Sequence, residues 1–397
     1  MPQNYNCFFE LLQVSLGSRE RLSRIPTAEE WEEIYEESGR QAVTGILLHG
    51  IDKLPAEQRP SQMFLLQWIG EGQMIELQNQ MMDKRCVKLI KKLDDVGLRG
   101  SILKGQAIAQ LYDKELVALR QSGDIDVCVD CGLKRAMEFA KSTGQKEIEW
   151  DYKHLHLNVW DDTEVEMHYR VEVLLNLWKN RKLQRWFKEH EKDIFNLNGN
   201  LDLNSDTNIS SEHKLPLIDH ELSNKASSNT DGADRTDGIT TPTVEFNVFY
   251  ILLHIYRHFL YEGVGLRQLV DYYFVLKNLD ANLNLKESYA YKAVSEFGME
   301  KFSKGLMWVM KVALGMPAEW MLWGTDKKEG EYILKQVMTG GNFGYYDERL
   351  NHGGGKLEAV KTILTHNLHL LTHYPSDVIW APVWIVWHKM WKMIQKV

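Results

Sequence analysis

Two acidic segments about forty residues apart constrain this chain more than any other feature. One reads Gly123-Asp124-Ile125-Asp126-Val127-Cys128-Val129, the other Val165-Glu166-Met167-His168. Alternate side chains of a β-strand point to the same face, so Asp124 and Asp126 project together. Glu166 sits on a later strand-like segment, from which it can join them. Three clustered carboxylates repel one another and are costly to desolvate unless cations compensate. An oxygen-only cluster suits Mg²⁺ that also touches phosphate oxygens. The pattern points to a metal-dependent phosphoryl- or nucleotidyl-transfer site.

The surrounding sequence predicts an α+β fold, with a small mixed β-sheet between N-terminal and C-terminal helical regions. Thr27 and Glu30 have capping-box spacing ahead of Trp31, Ile34 and Tyr35. Met82, Cys86, Leu89, Ile90 and Leu93 mark a long helix from about Gly72 to Val96, stopped at Gly97. Strands are expected at Ser101 to Lys104, Asp124 to Asp130, His154 to Trp160 and Glu164 to Val171. Asp161-Asp162 reads as the turn of a hairpin joining the last two. Helices are expected at Gln106 to Tyr112 and Leu133 to Ser142. Residues 198–241 are rich in Asn, Ser, Asp, Thr and Gly and read as a polar connection, with a short ordered piece near His213 to Ile218. Thr241-Pro242 restarts helix, which continues with short loops to the end. The division is then 1–98 helical, 99–197 core, 198–241 linker or insertion, and 242–397 helical.

The net charge of −8 over 397 residues argues against a dedicated nucleic-acid binder but leaves room for a locally basic cleft. The first thirteen residues lack a basic stretch and a long apolar core, so no signal peptide is expected. No apolar run approaches the ~20 residues needed to span a bilayer. With four cysteines in no regular framework, a reducing, cytoplasmic setting is expected. Cys128 and Cys131 form a lone C-x-x-C without the further ligands a structural zinc needs, and Cys128 reads as part of a buried strand.

The segment Ile102-Leu103-Lys104-Gly105-Gln106-Ala107, then a helix, then Arg120-Gln121-Ser122-Gly123-Asp124-Ile125-Asp126 resembles the DNA polymerase β-type nucleotidyltransferase superfamily. That superfamily places a glycine turn between strand and helix, then Asp-x-Asp on the next strand and a third carboxylate on a later one. More narrowly, the chain resembles a bacterial family of uncharacterised nucleotidyltransferases. The shared elements are Lys104-Gly105, Arg120 through Asp126, Glu166-Met167-His168-Tyr169, and a His-rich helix with His254 and His258 leading to Arg267 and Asp271. They occur in that order over most of the chain.

The resemblance implies an enzyme that moves an NMP group from an NTP, such as ATP, to a hydroxyl-bearing acceptor with release of pyrophosphate. Asp124, Asp126 and Glu166 would be the catalytic, metal-holding carboxylates, with Mg²⁺ as the cofactor and Mn²⁺ as the alternative. Lys104, Gly105, Gln106, Arg120, His168, His258 and Arg267 would contact the nucleotide. Glu164 shares a face with Glu166, but only Glu166 has the acidic-x-His-aromatic context. Gln106 departs from the Gly-Ser or Gly-Gly turn of the superfamily, placing a longer side chain where phosphate would approach. The acceptor would be a small molecule or a protein, with nucleic acid less favoured by the acidic balance. The alternative is a non-catalytic nucleotide-binding or interaction protein on the same scaffold.

Other residues have two readings. Arg257, His258 and Arg267 either approach the ligand or bind neighbouring helices, and Arg267 and Asp271 have the spacing of an intrahelical pair. His254 and His258 are four apart, but no glutamate occupies the metalloprotease position between them. His154 and His156 share one strand face, lining a cleft or satisfying structural bonds. Trp380, Trp384, Trp387 and Trp391 form an aromatic helical stripe, expected to pack on the helical domain rather than on a membrane surface.

Overall fold

The computed structural model describes residues 6–197, 239–280, 285–347 and 370–395. Its centre is a four-stranded sheet of β1 (Gly100–Ile102), β2 (Ile125–Val129), β3 (His154–Trp160) and β4 (Thr163–His168), in the order β1-β2-β4-β3. Strands β1 and β2 are antiparallel, β2 and β4 parallel, and β4 and β3 an antiparallel hairpin. The α+β fold class and the four strands expected from sequence are present. Trp160 pairs with Thr163 across the Asp161-Asp162 turn.

The period of two along each strand divides the sheet's environment. Ile125, Val127, Val129, Leu155, Leu157, Val165 and Met167 pack into one apolar cluster with Met82, Cys86, Leu89 and Leu93 of helix α4 (Gln62–Asp94) and Ala136 and Ala140 of helix α6 (Leu133–Ser142). The opposite face carries Asp126, Glu166, His168, His154 and His156. Strand β2 is buried along its whole length, so that polar face is covered too. The covering elements are helices α9 (Val244–Tyr261) and α10 (Leu266–Lys277), which belong to a second, larger apolar cluster with α1 (Asn6–Ser15), α3 (Thr44–Lys53) and α12 (Glu300–Leu314).

Helix α2 (Ala28–Arg40) starts at the Thr27–Glu30 capping box. Helix α4 begins ten residues earlier than its apolar stripe indicated. Ser61 caps it by accepting from the Phe64 N–H, and its first turns expose Met63 and Leu66, so they carry no buried stripe to read. The helix expected at Gln106 to Tyr112 closes as α5 after four residues, Gln106–Ala109. Thr243 caps α9, which leaves Pro242 ahead of the helix rather than in its first turn. The Ile102 N–H donates to Thr240 O at 2.8 Å, so the chain re-enters beside β1 after residues 198–238, which, with His213 to Ile218, lie outside the described residues.

The Trp-bearing helix Pro375–Ile394 packs on two bodies. Near its start, the Tyr256 hydroxyl of α9 donates to Asp377 at 3.1 Å. Further on, Trp384, Trp387 and Trp391 pack edge-on against Tyr152, and Trp391 against Trp150, in the segment leading into β3. The stripe therefore rests on the sheet region more than on the helical one. No helix among the described residues is long and apolar enough to cross a membrane.

Candidate active site

Parallel pairing of β2 and β4 places Asp126 and Glu166 as register partners. Asp124 stands two residues before Asp126, at the mouth of β2. One oxygen from each of Asp124, Asp126 and Glu166 lies within 4.8 Å of the other two. The three residues expected to converge do so, and they line a cavity of about 200 Å³ between the sheet and α9 and α10. Glu164, further out on the same face, does not line the cavity: it is exposed and bonded to His156 at 2.9 Å, with a carboxylate oxygen still within 4.8 Å of one of Glu166.

Two basic groups compensate part of this charge. Lys104 Nζ lies 2.8 Å from Asp126 Oδ1. His168, fully buried, has Nε2 2.9 Å from Asp126 Oδ1 and 3.1 Å from Glu166 Oε2. Its Nδ1 is buried without a partner, which suits an N–H on Nε2 donating to both carboxylates. Burial works against every charge here, but the neighbours prevail. Lys104 is raised because Asp126, Asp124 and Glu166 outweigh its desolvation. Desolvation of Asp126 is outweighed by Lys104 and His168, bringing its carboxyl down to about 2. The His168 bond likewise overcomes burial and holds Glu166 well below the carboxylate range. Asp124 behaves oppositely: repulsion from Asp126, then burial, raise its pKa. It makes no ion pair among the described residues. This leaves one carboxylate of the trio uncompensated, and an oxygen-rich set with surplus negative charge fits a divalent cation.

Gly105 precedes α5 with φ +53, a backbone region open to glycine and strained for other residues. It borders the cavity, as the Lys-Gly pattern implied. Gln106 does not. Its side chain is buried and turns away, donating from Nε2 to Asp83 of α4 at 2.6 Å. The longer side chain therefore leaves the cavity side of the turn clear.

The segment before β2 is clamped from behind. Asn79 of α4 donates to the carbonyls of Ala118 and Arg120 at 2.6 and 2.7 Å, and the Thr44 N–H donates to Gln121. Arg120 points across to α10, where Nε and Nη2 meet the two oxygens of Asp271 at 2.7 and 2.8 Å. Its guanidinium is thus committed to a protein carboxylate, and Asp271 pairs with Arg120 instead of with Arg267 one turn away. Arg267 is 7 % exposed and lines the cavity. Its Nη1 donates to Gln121 O at 3.0 Å, its Nε has no partner, and it forms no ion pair among the described residues. Burial and the nearby Arg120 lower its pKa.

His258 lies 2.7 Å from Glu262 and also borders the cavity. His254 Nδ1 lies 3.3 Å from Glu172, and burial keeps this imidazole neutral. His154 Nδ1 is 3.3 Å from Glu166 Oε2, and burial lowers its pKa to about 4.

Several neighbours escaped the sequence reading. Glu172 is 1 % exposed and gathers Lys153 at 3.7 Å, Arg257 at 3.0 Å and His254. A lone acid among Val171, Val173 and Leu174 was the available signal, because such a residue is buried only with partners. Lys153 lines the cavity, as does Phe343, from a Gly-Gly-Asn-Phe-Gly turn with no periodic pattern, whereas Arg257, which the sequence did single out, both borders the cavity and bonds Glu172.

Cys128 and Cys131 are free thiols, and burial raises both.

Comparison with curated proteins and with solved structures returns no match. A family model described as uncharacterised nucleotidyltransferase matches residues 27–315, well over half of the chain and a span that contains Lys104, the three carboxylates and Arg267. On that match the chain belongs to this nucleotidyltransferase family.

Proposed function

We propose that the chain transfers an NMP group from an NTP to a hydroxyl-bearing acceptor and releases pyrophosphate. The observation that carries this reading is one cavity holding both Asp124, Asp126 and Glu166 and a buried guanidinium, Arg267, without an ion-pair partner among the described residues. A buried unpaired cation is costly, and a polyphosphate supplies the missing charge. The order of β1, Gly105 turn, short α5 and β2 supports placement in the DNA polymerase β-type superfamily.

Asp124, Asp126 and Glu166 would hold Mg²⁺, or Mn²⁺ in its place, which neutralises phosphate charge in an in-line displacement. Lys104 and His168 hold Asp126 and Glu166 in place. A carboxyl with a depressed pKa is a weak proton acceptor. Glu166 therefore serves to hold cation and orient rather than to take the acceptor's proton. Arg267 would bind the triphosphate. The acceptor oxygen bonds to the α-phosphorus as the bond to the departing pyrophosphate breaks, and the hydroxyl proton passes to water.

A second reading, nucleotide binding without turnover, draws support from Asp126 already being bonded by both Lys104 and His168. Calorimetry of NTP binding with Mg²⁺ and with chelator tests the shared core of both. Cation-dependent binding is expected, and equal binding in chelator would count against the three carboxylates as the metal site. Pyrophosphate release then separates enzyme from binder.

A further inference from the structure

Phe343 is the single non-glycine residue among those bordering the cavity with a left-handed backbone, at φ 54 and ψ 26. For a bulky residue that conformation is strained, and such strain persists only where the surroundings enforce it. Here they do. A Cβ on Gly263 would come 2.5 Å from Gly344, and one on Gly265 would come 2.8 Å from Asn342, so the turn is seated directly on the α9–α10 connection. The Gly344 N–H closes the turn onto Gly341 O at 3.2 Å.

The strained geometry places a phenyl ring at the cavity, 39 % exposed, where burying it would have been favourable. The Arg267 guanidinium lies over the ring, 5.5 Å from its centroid, and the His258 ring lies 5.3 Å away. Arg267 also reaches back to Gln121 and to Gly123, next to Asp124. One side chain therefore links the carboxylate end of the cavity to the aromatic surface. Phe343 lies beyond residues 27–315, so the family match does not account for it.

We propose that Phe343 is the base-stacking residue of this site, binding the nucleobase of the NTP by the ring face that Arg267 leaves free. The inference rests on the nucleotide-binding reading above. Every base presents a π face, so the contact holds all four.

The test is affinity, by calorimetry on the full chain, for ATP, GTP, CTP and UTP and for tripolyphosphate, which lacks a base. Phe343→Ala and Phe343→Gly are compared with the parent. Glycine adopts this backbone without strain, so the second variant keeps the turn. Both variants should bind each NTP about ten- to hundredfold more weakly, with tripolyphosphate affinity unchanged. Parental NTP affinity in both variants would overturn the stacking role alone. Equal loss of NTP and tripolyphosphate would also overturn it, because it would show a collapsed site. If the parent binds neither, the nucleotide reading itself fails and the stacking role falls with it.

Discussion

Arg120 and Asp271 form a buried two-pronged ion pair that ties the loop before β2 to helix α10. The Tyr112 hydroxyl adds a third bond to Asp271 at 2.7 Å. Removing one member leaves the other as an uncompensated buried charge. Asp271→Ala should therefore destabilise the fold by about 3–5 kcal/mol in denaturant melts. Arg120→Lys should also be costly, because lysine cannot reproduce the two-pronged bond. A change below about 1 kcal/mol in both would show that the pair is not a structural clamp.

Arg267 should behave in the opposite way. With no ion pair among the described residues to lose, Arg267→Ala should leave the ligand-free melting temperature nearly unchanged. It should weaken triphosphate binding by about ten- to hundredfold, the scale of a charge-assisted bond. The salt dependence of binding should flatten as well. Unchanged affinity would remove Arg267 from the phosphate site.

Asp124 is the carboxylate that repulsion from Asp126 disfavours most. Asp124→Asn relieves that repulsion without orphaning Lys104 or His168, which bond to Asp126. The variant should keep or raise its melting temperature while turnover falls on the order of 10²–10³-fold. Asp126→Asn should lose turnover and stability together, since the half-buried Lys104 then faces a neutral group. Equal stability losses in the two variants would contradict this division.

Glu172 is held far below the carboxylate range because Lys153, Arg257 and His254 outweigh its burial. A folded-state pKa below the unfolded value of about 4.3 gives stability that is present above that pH. It is lost as pH falls through the folded value. Glu172→Gln should cost about 3–5 kcal/mol near pH 7. The gap between parent and variant should narrow as solutions are acidified below about pH 4. A gap independent of pH would mean that the glutamine fails for packing reasons alone.

Much of the scaffold was legible because its signals are local. Alternation in Asp124 to Val129 gave the strand, Thr27 with Glu30 gave the cap, and Asp161-Asp162 gave the hairpin. Convergence of Asp126 with Glu166 followed once both were read as strands. Which cation serves which anion was not legible. Arg267 and Asp271 sit at pairing distance on one helix, yet Asp271 bonds to Arg120, 151 positions earlier. Gln106 likewise looked like an obstruction until α4 supplied Asp83. The tryptophan stripe announced a helix face but not its target, because Trp150 and Tyr152 lie far away in sequence. Long-range partner choice depends on tertiary packing, which no short window encodes.

Nucleotidyl transfer is tested most directly by following two labels. The chain is incubated with Mg²⁺ and host-cell extract, once with NTP labelled at the α-phosphate and once at the γ-phosphate. Asp124→Asn serves as the control. The α label should enter a new species absent with the control, while the γ label is released as pyrophosphate. Transfer of the γ label to an acceptor, or α labelling that persists in Asp124→Asn, would contradict the account.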